Sequence, residues 1–260
     1  MKNNVGILLP VSCLPGHHGI GDFGPSAYQF ISWMARHKYR YWQVLPLNPV
    51  GPGFSPYMST CSEAIEPRYI SLDLLVKDGL LKKVPSYRRR ASRVNYLGVD
   101  KFKIKYLWKA YQNFQKTKKF GYKKFKDNNP WVIPYATYLI FREENNLRPW
   151  NQWKEGHIHY FENHTSYPEE KKDIAEFYIF CQFIAYKQWF RLLDHAKEKG
   201  ISVIADCPFY VGMDSIDCWL HKDQFLFDEK YNPIVVSGVP PDYFNEDGQL
   251  WGTPIYDFAK

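Results

Sequence analysis

The sequence predicts an α/β fold built on a parallel sheet, and three stretches carry that expectation. Gly200-Ile201-Ser202-Val203-Ile204-Ala205-Asp206 is an apolar, β-branched run that ends on a carboxylate, and Pro208 stops it. Val5-Gly6-Ile7-Leu8-Leu9-Pro10 and Tyr41-Trp42-Gln43-Val44-Leu45-Pro46-Leu47 read as two further buried strands. Between those two lies one helical stripe, with Pro25 at the first helical position and Tyr28, Phe30, Ile31 and Met34 on a common face. Strand, helix and strand over about 40 residues make a right-handed βαβ unit with a parallel pair. A carboxylate at the C-terminal end of such a strand, here Asp206, sits where α/β folds place their chemistry.

From about Leu72 to Gly200 the pattern is mostly helical. A short helix over 73–78 stops at Gly79, and longer ones are expected over 101–126, 134–146 and 169–199. In the last, Phe177, Cys181, Ile184, Ala185, Trp189 and Leu192 keep an i, i+3/i+4 spacing until Gly200, and the chain then feeds the strand at Ile201. The reading is therefore three parallel strands with a helical insertion between the second and third. It divides into a first βαβ segment with substrate loops (1–71), a mainly helical insertion (72–168) and a third strand–helix unit with a hairpin and a lid loop (169–260). The hairpin is expected to pair 225–228 with 234–236. The stretch 237–254 is too rich in Pro and Gly for a regular element, yet full of large aromatics, and reads as a shaped surface loop.

Composition narrows the function classes. With 260 residues, 45% hydrophobic and 23% charged, the chain can bury a sizeable core and is not of disordered type. Its formal charge of +7 collects at Arg88, Arg89, Arg90 and Arg93 and along 101–126. These read as a loop and a solvated helical face, and no nucleic-acid partner is expected; a basic nucleic-acid binder would leave the aromatic loops unexplained. Phe, Trp and Tyr make up 18% of the residues, a level that suits sugar clefts, where a flat ring covers the apolar face of a pyranose, as well as ordinary cores. Tyr57, between Pro56 and polar residues, is a candidate stacking ring, with Ser55 beside it.

Five cysteines without metal-ligand spacing read as reduced thiols. No signal-peptide core and no apolar run of about 18 residues is present, so a cytoplasmic location without membrane association is expected. His157 and His159 lack a third ligand nearby, and Gly19-Ile20-Gly21-Asp22-Phe23-Gly24 lacks the short turn of a dinucleotide site. Neither a metal nor a cofactor is expected.

Several motifs resemble those of a known family. Gly6-Ile7-Leu8-Leu9-Pro10 with Ser12, Leu14 and Pro15, then Gly19 to Gly24, Trp42-Gln43-Val44-Leu45-Pro46-Leu47 and Ser55-Pro56-Tyr57 are similar to the start of the amylomaltases. The similarity continues through Asp206-Cys207-Pro208-Phe209-Tyr210, Gly238-Val239-Pro240-Pro241-Asp242-Tyr243-Phe244 and Gly248-Gln249-Leu250-Trp251-Gly252. These are 4-α-glucanotransferases, or disproportionating enzymes, of the α-amylase-like superfamily. The resemblance implies a (β/α)8 TIM barrel, present here as its first three strands with the large helical insertion. It implies transfer of α-1,4-glucan segments between maltooligosaccharides by retaining double displacement, which uses two carboxyl groups about 5 Å apart. It makes Tyr57 a sugar-stacking ring, Asp206 a supporting carboxylate rather than the nucleophile, and Ser55, Asp242, Tyr243, Phe244, Gln249 and Trp251 substrate-binding residues. The family's nucleophile and acid/base come later than Lys260, so this chain is expected to be truncated before them and inactive alone, with a missing C-terminal half as partner. The alternatives are a non-catalytic α-glucan-binding protein or half of a split enzyme. Glu63 and Glu66 depart from the family pattern, which more often has an aromatic and an Asn there.

Overall fold

A computed structural model describes residues 5–87 and 93–260; Arg88, Arg89 and Arg90 lie outside the described residues. In chain order the elements begin with β1 (Gly6–Leu8), α1 (Pro25–Arg36), β2 (Tyr41–Gln43), α2 (Leu72–Lys77), α3 (Tyr96–Phe114), α4 (Tyr122–Asn128) and α5 (Val132–Glu144). There follow α6 (Glu155–Ile158), α7 (Tyr160–Asn163), α8 (Lys172–Glu198), β3 (Ser202–Ile204), α9 (Ile216–Leu220), β4 (Val236–Val239) and β5 (Gln249–Pro254). The chain forms two units, one of Met1–Leu47, Ile65–Asn129 and Phe177–Asp206, the other of Asn48–Ala64, Pro130–Glu176 and Cys207–Lys260.

In the first unit the three expected strands pair in parallel, in the order β1-β2-β3. Ile7 stands opposite Trp42, and Trp42 opposite Val203. The central strand is buried at Trp42, whose Nε1 donates to the Leu9 carbonyl at 2.8 Å. The outer strands are not buried as the sequence suggested: Leu8 and Ile204 are exposed. Side chains alternate between the two faces of a strand, and on β1 and β3 one of those faces lies open. Helix formation follows the sequence closely at α1, which starts at Pro25, and at α2, which gives way to Gly79 in the left-handed region (φ 75°).

The single helix expected over 101–126 is two helices. The break between α3 and α4 passes through Lys119 (φ 50°) and Gly121 (φ 76°), conformations that an α-helix cannot contain. Thr117 supports the turn, donating from Oγ1 to the Phe114 carbonyl at 2.8 Å and accepting from the Lys119 N–H at 3.3 Å. The break lets rings of both helices meet the long helix. Phe114 and Tyr122 each lie within 6 Å of Phe183, and Trp108 stacks on Phe177 with centroids 3.9 Å apart.

Residues 65–71 organise the interior of this unit. They form no strand among the described elements, so their backbone groups need side-chain partners. Gln182 on α8 accepts from the Ile65 N–H and donates to the Ile65 carbonyl, both at 2.9 Å. Six residues on, Gln188 does the same for Ser71, at 2.7 and 3.1 Å. Lys103 of α3, 1% exposed, donates to the carbonyls of Arg68 and Ile70 and to the Asp22 carboxylate at 3.1 Å, so all three ammonium protons have acceptors. Asp22 also accepts the Gly24 N–H ahead of α1. Arg68 bridges Glu66 and Asp100, and this pairing gives Glu66 its partner inside the unit.

The second unit is held by an indole and phenol cluster. Tyr138 and Phe141 on α5 meet Trp153 and Trp219 with centroids 5.3 to 6.3 Å apart. The indole N–H groups are all used: Trp150 donates to Met213, Trp153 to Arg148 and Trp219 to His157. The chain reverses at 228–232 as expected, with one bridge between Phe227 and Pro233 and the Ile234 N–H bonded to Leu226. Regular pairing lies elsewhere: β4 and β5 form an antiparallel pair that begins at Val236 and otherwise falls inside 237–254, the stretch expected to be irregular. Of the Pro and Gly residues that argued against a strand, Pro240, Pro241 and Gly248 sit in the connection, Gly238 at a register shift after Val236, and Gly252 and Pro254 within β5 itself.

Two outcomes test this packing. Gln188→Leu leaves the buried Ser71 N–H unpaired and the Ser71 carbonyl with only the Leu75 N–H, and is expected to cost about 1 to 3 kcal/mol in urea unfolding; a loss below about 0.5 kcal/mol would contradict the role given to the amide. His18 is buried with Nδ1 unpartnered, and burial lowers its pKa, against the pull of Asp73 4.0 Å away and with the help of Lys103. The unfolded chain therefore takes up this proton first, near pH 6.5. The stability held above that pH is lost as the pH falls toward the lower folded value. Melting temperature should drop less between neutral and mildly acidic pH in His18→Gln than in the parent, and equal drops would contradict the assignment.

Candidate functional site

The Tyr57 loop belongs to the second unit and is built as a narrow reversal. Val50 bridges Ser59, the Gly51 N–H donates to the Met58 carbonyl at 2.9 Å, and Gly53 (φ 82°) lets the tip turn through Pro52–Phe54. Ser55 Oγ accepts from the Tyr57 N–H at 3.3 Å, so Ser55 shapes the backbone that presents the ring. Tyr57 is 47% exposed.

Four residues fix the base of the loop, Asn48, Gly212, Ile216 and Asp217. The two protons of the Asn48 amide are shared among the carbonyls of Cys61, Ser62 and Ala64, nearest Ser62 at 2.6 Å. The N–H groups of Gly212 and Ile216 donate to the carbonyls of Ser59 and Thr60. Asp217 on α9 accepts from the Ser62 N–H at 3.1 Å and from the Ser62 hydroxyl. Burial and the Asp217 charge together hold the Glu63 carboxyl above the usual carboxylate range. Asn48 and Asp217 were not singled out from the sequence. The signal for Asp217 was local, a first-turn acid behind the N-capping Ser215.

The β4–β5 connection presents Asp242, Tyr243 and Phe244 in the same unit. Asp242 Oδ1 accepts from the N–H groups of Phe244 at 2.9 Å and Asn245 at 2.8 Å, an Asx-type turn that throws Tyr243 and Phe244 outward. Those rings are 95% and 89% exposed and lie edge to face, 5.4 Å apart. The turn closes at Gly248 (φ 71°), where a Cβ would stand 2.5 Å from the Val239 carbonyl oxygen. Beyond it the Gln249 side chain accepts from the Trp251 indole at 3.2 Å, and Tyr210 lies edge-on to Trp251 at 6.5 Å. Gln249 therefore orients an exposed ring, a role its sequence position did not disclose.

Asp206 lies in the first unit, half-buried, two residues beyond the end of β3. In the second unit Asp214 accepts from the Tyr138 hydroxyl at 2.8 Å and from Arg142 at 3.0 Å, and Asp217 is taken by Ser62. This unit thus offers exposed rings on hydrogen-bonded loops, with Asp217 engaged in holding the Tyr57 loop and Asp214 in pairing with α5. His157 stacks on Phe141 at 3.9 Å and bonds Asn145, while His159 pairs with Glu162. Among the described residues no three His, Cys, Asp or Glu side chains converge as for a metal ion, and no helix is long and apolar enough to cross a membrane.

The family described as 4-alpha-glucanotransferase matches residues 9–260. The chain is similar to the 4-alpha-glucanotransferase of Clostridium butyricum, 38% identical over 256 residues, which are 96% of this chain and 53% of that protein. It is 36% identical over 271 residues to the chloroplastic/amyloplastic 4-alpha-glucanotransferase of Solanum tuberosum, covering 99% of this chain and 47% of that one. Among solved structures it resembles the amylomaltase from Streptococcus agalactiae in complex with acarbose, with a TM-score of 0.92, 32% identity and coverage of 99% of this chain and 54% of that one. The chain spans about half the length of the curated relatives it matches.

The anchoring of the Tyr57 loop can be read directly. Asp217→Ala is expected to speed hydrogen exchange at the Ser62 amide by about tenfold or more, the scale of one lost charge-assisted bond. An unchanged exchange rate would show that the carboxylate does not hold the loop.

Proposed function

Because the chain belongs to the 4-alpha-glucanotransferase family, we propose that it supplies the glucan-binding portion of an enzyme moving α-1,4-glucan segments between maltooligosaccharides by retaining double displacement. The observation that carries this reading is the display of Tyr57, Tyr243 and Phe244 as exposed rings on loops whose backbones are tied by side-chain hydrogen bonds, with the exposed Trp251 ring of β5 held by Gln249. A ring already out in solvent gives up nothing to meet a sugar, and a pyranose face covers it at the cost of little ordering. Ser55 and Asp242 shape those loops, Gln249 orients Trp251, and all three stand ready to hydrogen-bond sugar hydroxyls. The acarbose bound by the Streptococcus agalactiae amylomaltase supports an oligosaccharide as the ligand class.

In this proposal the three parallel strands are the first three of a (β/α)8 barrel, and Asp206 is a supporting carboxylate at the C-terminal end of the third. Residues 1–71 carry the first βαβ segment, 72–168 the insertion, and 169–260 the third unit with the lid. The nucleophile and acid/base belong to a C-terminal half of the kind that fills the remaining length of the relatives, and the setting is cytoplasmic. Engagement of Asp214 in pairing with α5 and of Asp217 in holding the Tyr57 loop favours a second reading for the chain acting by itself, namely glucan binding without transfer.

Isothermal titration of the 260-residue chain with maltotetraose tests the proposal. Saturable binding is expected, weakened about tenfold by Tyr57→Ala, the scale of one stacked ring. Maltotriose incubated with the same chain should release no glucose. Absence of binding, or binding indifferent to Tyr57, would contradict the assigned site, and glucose release would contradict the division of labour.

A further inference from the structure

The net positive charge of this chain is concentrated in one stretch of its sequence. Residues 88–126 hold fourteen Lys and Arg against one acid, Asp100, a formal +13 set against +7 for the whole chain, so the remainder is net acidic. A coat that served only solubility would be interspersed with both signs. From 101 to 126 every cation is a lysine and no acid occurs. Asp100 is already taken by Arg68.

The fold turns Lys103 inward and leaves the others outside. Lys101, Lys105, Lys109 and Lys116 are exposed on α3 and just past its end, opposite the buried Val99, Leu107, Ala110 and Phe114. Four-residue spacing on a helix sets successive ammonium groups about 6 Å apart along the axis. Among the described residues none of these four makes an ion pair with a carboxylate. At the turn into α4, Phe120 is 84% exposed between Lys119 (φ 50°) and Gly121 (φ 76°), with Lys118, Lys123 and Lys124 around it in sequence. It is the one fully exposed ring among residues 101–126.

We infer that α3, α4 and the turn between them form a second polymer-binding surface, specific for α-glucan that carries phosphate monoesters. The inference rests on the glucan reading above. Lysine ammonium groups meet phosphate as unpaired point charges, and a projecting phenyl ring offers the flat apolar face that a pyranose covers. The combination matches a ligand that is a sugar and a phosphate at once. A polynucleotide would favour a run of stacking rings and arginine forks, and this surface offers one ring and lysines.

The test uses the full chain in native gels containing soluble phosphorylated amylopectin, or the same polymer after phosphatase treatment. The apparent Kd for the phosphorylated polymer is expected to be about tenfold lower, with the difference shrinking as salt is raised. Lys118→Gln with Lys119→Gln, and separately Phe120→Ala, should erase that difference while leaving binding to the treated polymer unchanged; all three positions are exposed, and equal melting temperatures verify the fold. Equal affinity for both polymers overturns this inference and leaves the glucan reading standing. Binding of the phosphorylated polymer alone supports it and removes the Tyr57 site from the isolated chain. Binding of neither overturns both. A difference that survives both variants, or single-stranded RNA that displaces the phosphorylated polymer at lower concentration, also overturns it.

Discussion

Residues 65–71 run through the interior of the first unit without a neighbouring strand, and a buried backbone without partners is too costly to persist. Three side chains from two helices meet that demand. Gln182 and Gln188 on α8 each bond both the N–H and the carbonyl of one residue, Ile65 and Ser71, and the Lys103 ammonium on α3 collects two carbonyls together with the Asp22 carboxylate. These bonds fix the positions of α3 and α8 relative to one segment, and Asp22 carries the restraint on to the start of α1. The aromatic packing of α3 and α4 on α8 then follows. A lysine with all three protons bonded and a carboxylate beside it is tolerated inside where an unpaired one would not be.

The second unit solves a different problem, the display of rings in water. Exposed aromatics on slack loops would collapse onto each other or onto the nearest apolar surface. Here the loop backbones are closed by their own polar groups: Asn48 and Asp217 beneath Tyr57, and Asp242 beneath Tyr243 and Phe244. The result is preorganisation, in which the ordering cost of a binding surface is met in folding rather than on encounter with the ligand.

The periodic parts of the fold were legible in the sequence. The βαβ unit, the start of α1 at Pro25 and the strand before Asp206 all have local causes, in β-branched runs, proline and helical spacing. The break at Gly121 was legible in principle, since a glycine amid lysines marks a turn, but the continuing amphipathic spacing outweighed it. The glutamines were hidden because Gln182 and Gln188 fall among apolar residues of α8 and differ from solvent-facing ones only through tertiary partners. The β4–β5 pair was hidden by prolines that belong to its connection. Site residues divide in the same way. Tyr57 and the lid aromatics stand out by composition, whereas Asn48 and Asp217 act through backbone groups distant in sequence. The open faces of β1 and β3 reflect how much of a sheet lies beside each strand, which no local pattern encodes.

The central claim is that the exposed rings of the second unit are the sugar-contacting surface. Saturation-transfer NMR on the 260-residue chain, irradiating aromatic protons and observing maltotetraose, addresses it without reference to catalysis. The account expects saturation at the sugar ring protons, lost when Tyr57, Tyr243, Phe244 and Trp251 are together replaced by alanine in a chain that remains folded. Saturation that persists in that variant, or none in the parent, would contradict it.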